Sequence, residues 1–296
     1  MKPCIITDQI SQDFQYACSF ISEAGITDVE IHSLWGKTVE LLDDEQVNKA
    51  KTLLDFYDLK VVNLATTFFL MIPLYPDDLL KDFNPKSSII RADYSSHMDY
   101  LRRTIRIAKM LGCPRLRVFP FYAPVNRLIL GIPNDIATMA QVMQPAVRLA
   151  AQEGITLVLE NCYRSHLPKG LMSLELVKKI DSPNLKLLYS PANSFRANID
   201  RIPAEYRTVQ LVDELKSILP WIDLIHIKDY HYAEGLNQPY QHVILGQGEV
   251  PYPQLLELLK ENGYQGDLSC DPQTNFEGNM ESLNVLLKWL KAIKRK

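Results

Sequence analysis

GITLVLENCYRSHLPKGLMSLELVKKIDSPNLKLLYSPAN, residues 154–193, decides the fold. Residues 156–161 form an apolar run that ends in Glu160 and Asn161. Residues 172–180 space their apolar side chains along one helical face, and 185–190 is a second short apolar run ending at Ser190. Strand, helix and strand in this order make a βαβ unit, with parallel strands and a right-handed crossover.

The same rhythm extends both ways. Upstream, strands are predicted over 4–7, 28–32, 60–65 and 115–119, and helices over 13–23, 43–57, 94–111 and 135–153. Downstream, helices over 206–218, 253–262 and 280–293 alternate with strands over 222–229 and 267–271. Gly25, Gly112, Gly154 and Gly263 stop the helices that precede them, and Asp43-Asp44-Glu45 supplies an acidic helix start. Residues 66–88, with Pro73, Pro76 and Pro85, read as a long functional loop. Eight strand-plus-helix units with no break in composition predict an α/β protein, a (β/α)8 TIM barrel forming one domain over 1–296. The runner-up, an open doubly wound sheet, would more often carry a glycine-rich turn after its first strand; TDQISQD (7–13) has none.

Composition narrows the function. The 32 basic and 35 acidic residues give a formal net charge of −3, which argues against a nucleic-acid binder. Cys4, Cys18, Cys113, Cys162 and Cys270 are odd in number and scattered, as expected of reduced thiols in a cytoplasmic protein. No stretch approaches the ~18 apolar residues of a membrane span. The start, MKPCIITDQISQDF, turns polar too soon for a secretory signal. The basic, amphipathic LLKWLKAIKRK at 286–296 reads as a closing helix.

In such barrels the chemistry sits at the C-terminal strand ends. Those ends carry Asp8, Glu30 with His32, Asn63, Arg117, Glu160 with Asn161, Ser190, His226 with Lys228, and Asp271. Residues two apart on a strand share a face, so Glu30 and His32 point together, as do His226 and Lys228. Each has a plainer reading. Glu160 could merely pair with Arg117, His226 could be a hydrogen-bonded core histidine, and Lys228 could partner Glu160 or Asp229. His166, His231 and His242 read as solvated loop residues, and Arg102, Arg103, Arg106 and Lys109 as the polar face of a helix. The aromatic stretches 68–75 and 119–124 suit an apolar wall over the site, barrel-rim packing or a subunit interface.

Along nearly its whole length the sequence resembles the sugar (phosphate) isomerase/epimerase branch of the xylose isomerase-like TIM barrels. The resemblance rests on GITDVEIH (25–32), YLRRTIRIAKMLGCPRLRVF (100–119), GITLVLEN (154–161), LKLLYSPAN (185–193), IHIKD (225–229), LGQGEV (245–250) and GYQGDLSCDP (263–272). It implies a divalent metal (Mn, Mg or Zn) held by Glu160, His226 and Asp271. It also implies proton transfer beside a carbonyl, through an enediolate, on a sugar, polyol or sugar phosphate. Glu160 and Asp271 would be the acid/base pair, and Lys228, Arg117, Glu30 and Asn193 would serve substrate binding. The family's strand-six aspartate, however, falls on Ser190, and its frequent arginine six residues beyond the histidine falls on Tyr232. Losing an anionic ligand weakens a divalent site, and Asp271 stands where glutamate is usual, shorter by about the ~1.5 Å of one C–C bond. Asn193 or a water could fill the gap.

Two alternatives follow: a metal-dependent lyase or dehydratase on the same barrel, or a non-catalytic small-molecule-binding protein with a degenerate metal site. The DNA-repair endonucleases of this superfamily assemble several zinc ions from many histidines and acids. Here, of six histidines, only His32 and His226 lie at predicted strand ends. The expected partner is a small carbohydrate, with no nucleic acid or membrane, in a homo-oligomer.

Overall fold

Each short apolar run has enough edge to pair with its neighbour but no means of covering both faces alone. In a computed structural model that describes residues 1–81, 84 and 87–295, eight of them close on one another. They are β1 (Lys2–Ile6), β2 (Asp28–Ile31), β3 (Lys60–Phe68), β4 (Arg115–Val118), β5 (Thr156–Glu160), β6 (Leu185–Tyr189), β7 (Ile222–Ile227) and β8 (Asp267–Cys270). Neighbours follow chain order, and β8 returns to β1 with Lys2 opposite Asp267 and Ile5 opposite Cys270. All eight pairings are parallel, giving the (β/α)8 barrel expected from the sequence.

The covering helices are α1 (Phe14–Glu23), α2 (Asp44–Phe56), α3 (Tyr94–Met110), α4 (Pro133–Gln152), α5 (Gly170–Ile180), α6 (Leu211–Ile218), α7 (Tyr252–Glu261) and α8 (Phe276–Arg295). Local chemistry sets several starts. Asp13 and Asp93 each accept a backbone N–H of the first turn, and Asp43 with Gln46 forms a reciprocal capping box. The helix expected over 206–218 is two pieces, Ala204–Arg207 and α6, parted where the β-branched Thr208 and Val209 interrupt better helix formers. Strand β3 runs on to Phe68, into what reads from sequence as loop. Pro85 of that loop lies outside the described residues.

Two cores result. The larger fills the space between strands and helices. A smaller one, Val158, Leu188 and Leu224, is fully buried on three adjacent strands. Alternate strand residues share a face, so these three stand directly beneath Glu160, Ser190 and His226. They form an apolar floor under the polar mouth. The five cysteines are buried and unpaired, and among the described residues no helix is long and apolar enough to cross a membrane.

Candidate functional site

The C-terminal strand ends surround a cavity of about 420 Å³ lined by, among others, Asp8, His32, Arg117, Glu160, Lys228 and Asp271. That volume is within the usual range for small-molecule sites. Leu70 and Phe119 supply an apolar wall, and Phe69 and Phe121 stack behind it with ring centroids 5.5 Å apart.

At the base of the mouth, oppositely charged groups are interleaved. His226 is fully buried, and its Nε2 lies 2.9 Å from Glu30 Oε1, while Asn63 donates to Glu30 Oε2 at 2.5 Å. The other ring nitrogen, Nδ1, faces Glu160 Oε1 at 3.7 Å and Asp271 Oδ2 at 3.8 Å, beyond hydrogen-bond reach. The Lys228 ammonium faces the same two oxygens: it donates to Asp271 Oδ2 at 3.1 Å and stands 4.0 Å from Glu160 Oε1. Arg117 donates to Glu160 Oε2 at 3.0 Å, and Asn193 Nδ2 donates to Glu160 Oε1 at 3.0 Å. Gln273 Nε2 donates to Asp271 Oδ2 at 2.9 Å.

Burial alone would neutralise these groups, but their mutual fields prevail. Burial resists charge on Glu160, yet His226, Arg117 and Lys228 hold its carboxyl well below the usual range. Burial likewise works against the charge on His226, and Glu30 and Glu160 outweigh it, lifting the imidazole to about 9. Asp271 overcomes the same penalty at Lys228 and raises its pKa.

Most of the sequence candidates meet here, in distinct positions. Glu160, Asp271, Lys228, Arg117 and Asn193 line the cavity. Glu30 lies deeper and holds His226 by its Nε2. Ser190 is fully buried; its N–H goes to Asn161 Oδ1 at 2.8 Å, and its hydroxyl has no hydrogen-bond partner among the described residues. Tyr232 is 44% exposed on the hairpin formed by Asp229–Tyr232 and Tyr240–Val243, outside the cavity lining. Asp229 is structural: its carboxylate accepts the backbone N–H groups of Tyr230, Gly246, Gly248 and Val250 at 2.9–3.2 Å. A Cβ on Gly248 would lie 2.2 Å from Asp229 Oδ1, so LGQGEV is built around this carboxylate.

His166 corrects an expectation. It is fully buried, with Nδ1 3.4 Å from Asp135 and Nε2 3.9 Å from Asp78. Asp78 also receives the Leu74 and Tyr75 N–H groups, so this cluster ties loops together in place of water. His242 is likewise partly covered, its ring 4.4 Å from that of Tyr230. His32, two residues beyond Glu30, lines the cavity; its Nδ1 lies 2.8 Å from the Ala65 carbonyl, an acceptor, so Nδ1 is the donor of this pair. Gln273 comes from a loop, and no strand or helix period in the sequence points to it.

The donors suit a divalent ion poorly. Three protein ligands converge at most, and the fourth family position is the neutral Ser190. Both candidate carboxylates already have a cation, Arg117 on Glu160 and Lys228 on Asp271. Among the described residues, no group of three or more His, Cys, Asp or Glu is spaced to hold a metal.

Residues 18–293 match the family described as the xylose isomerase-like TIM barrel. An uncharacterised protein of Methanocaldococcus jannaschii is 29% identical over 223 residues, 73% of this chain and 69% of its own length. Two solved structures share the fold. One is a 3-keto-D-glucoside 4-epimerase from E. coli, with TM-score 0.69 and 14% identity over 99% of this chain and 100% of that one. The other is an IOLI protein with a bound zinc atom, with TM-score 0.72 and 15% identity over 99% of each chain.

Proposed function

The chain belongs to the xylose isomerase-like TIM barrel family, and on that footing we propose that it is an isomerase or epimerase moving a proton beside the carbonyl of a small polyhydroxy compound. The carrying observation is the pairing of the Lys228 ammonium with the Asp271 carboxylate, 3.1 Å apart in the wall of the cavity. A substrate carbonyl set against Lys228 Nζ meets a fixed positive charge where its oxygen becomes negative. Asp271 takes the proton from the adjacent carbon; the C–H pair becomes the C=C of an enediolate, and the carbonyl π pair moves onto oxygen. Protonation of the same carbon from the other face by water gives an epimer; delivery of the proton to the former carbonyl carbon, while the hydroxyl proton of the adjacent carbon passes to the former carbonyl oxygen, gives an isomer.

Glu160 has a different part. Both its oxygens already accept hydrogen bonds and its carboxyl is held ionised, so it anchors Lys228 and Arg117 and leaves proton transfer to Asp271. The polar lining from Asp8, Gln12, Ser33, His32 and Gln273 supplies partners for substrate hydroxyls. The likeness to a keto-sugar epimerase supports the substrate class.

The test is exchange in D2O, followed by NMR, with a panel of aldoses, ketoses, keto-glycosides and their phosphates. Deuterium should enter at the carbon beside the carbonyl, and Asp271→Asn should slow entry by at least about 100-fold. No incorporation into any member of the panel overturns the proposal.

A further inference from the structure

The two oxygens that face His226 Nδ1 are Glu160 Oε1 and Asp271 Oδ2, and both also face the Lys228 ammonium. A divalent ion bound by the imidazole and both carboxylates would have to use oxygens already committed to an ammonium. Arg117, paired with Glu160, adds a second positive charge beside that position. It is fixed on the far oxygen of Glu160 and on the backbone carbonyls of Ala65 and Thr66, so it cannot withdraw without breaking three hydrogen bonds. Glu160 and Asp271 bring two negative charges, and Lys228 and Arg117 bring two positive ones, all four side chains less than a tenth exposed. In the low-dielectric mouth a further +2 would have no matching charge from these four, whereas relatives carrying an aspartate at the position of Ser190 would have one more carboxylate.

We infer that Lys228 takes the place of the divalent ion, and that this site works with a cation built into the chain and no resident metal. The ammonium sits on strand β7's extension, two residues beyond His226 and therefore on the same side of the chain. It offers hydrogen bonds and one charge to a substrate oxygen without demanding further ligands. Ser190 fits this arrangement: a neutral hydroxyl leaves Glu160 and Asp271 as the carboxylates that flank the ammonium. The inference rests on reading the mouth as the reaction site and deepens that reading by naming the source of its positive charge.

The test measures metal binding without turnover, so it can fail independently of the proton-transfer proposal. Full-length protein is stripped with EDTA, dialysed against Mn²⁺ or Zn²⁺, and assayed for metal per chain and for Tm. Wild type should retain less than about 0.1 equivalent and shift by less than about 1 °C, since only a ligand bound to the native state raises Tm. One equivalent retained with a clear rise in Tm overturns the inference. The double variant Ser190→Asp/Lys228→Met, which restores the carboxylate and removes the ammonium, should bind Mn²⁺ at least about 10-fold more tightly than wild type. If it fails to fold, Lys228→Gln, which keeps a hydrogen-bond donor for Asp271, is read the same way. A folded variant that gains no affinity shows that Lys228 does not exclude the ion and overturns the inference.

Discussion

Replacing Arg117 with methionine removes a side chain that joins β3, β4 and β5 at the mouth. Its Nε and Nη2 donate to the Thr66 and Ala65 carbonyls at 2.9 and 2.7 Å, and Nη1 donates to Glu160 at 3.0 Å. The guanidinium also covers the Phe119 ring, 4.8 Å from its centroid. Methionine keeps most of the volume but takes one donor from each of a buried carboxylate and two carbonyls, of which Ala65 keeps that of His32. Breaking a buried ion pair by removing one partner costs about 3–5 kcal/mol. Lys228 and Asn193 still reach Glu160, which places the expected loss near the lower bound, about 3 kcal/mol. At roughly 2–4 °C per kcal/mol for a large domain, Tm should fall by about 6–12 °C. Thermal unfolding followed by circular dichroism measures it, with Glu160→Gln and the double variant completing a cycle. Because glutamine removes the orphaned charge, the double variant should lose at least ~1.5 kcal/mol less than the sum of the singles. A fall of under about 2 °C, or strict additivity, would refute this account of how Glu160 is held.

Gly248→Ala should destabilise the 244–250 turn, because the new Cβ meets Asp229 Oδ1 at 2.2 Å and the Tyr230 carbonyl at 2.5 Å; a loss of about 1–3 kcal/mol and earlier cleavage there in limited proteolysis are expected. His97 gives a pH dependence. Desolvation lowers it from 6.5 to about 4 in the fold, where its Nδ1 accepts the Phe69 N–H at 3.1 Å. Between those values the unfolded chain binds the proton and the native one does not, so stability falls as pH drops from 6.5 toward 4. From pH 7 to 4.5 this contributes about 2 kcal/mol, and His97→Asn, whose amide oxygen can accept the same N–H, should remove that part of the urea-measured pH dependence; equal slopes in the two proteins would count against it.

Short apolar runs and helical spacing carried the barrel because the barrel strands are buried over most of their length and the helices turn apolar stripes to them. Boundaries slipped where local preference is ambiguous. β3 continues through Thr66 and Thr67 to Phe68, residues whose β-branched and aromatic side chains suit a strand as well as the loop start they suggested. At the site, residue types and the shared strand face brought Glu160, His226, Lys228 and Asp271 together. Their pairing was not legible, since which cation meets which carboxylate depends on the third dimension of the mouth. Glu30, from the opposite side of the barrel, and Gln273, from a loop, became partners only through closure. The sequence likewise shows no reason why His166 should be buried, because the carboxylates that surround it come from 31 and 88 residues away, at positions 135 and 78.

The carboxylate of Asp229, gripping four backbone N–H groups, fixes both ends of the chain excursion that leaves the barrel after Lys228. The tip of that excursion, residues 233–239, is mostly exposed and lies beyond the paired hairpin strands. Lengthening a loop whose ends are already held adds only a slowly growing closure entropy. The tip is therefore an insertion point: segments could be grafted, lengthened or exchanged there to reshape the rim of the mouth while the lysine beneath keeps its position. In this barrel the part that can be varied and the part that must stay fixed are close in sequence, separated by the four residues 229–232 that Asp229 begins.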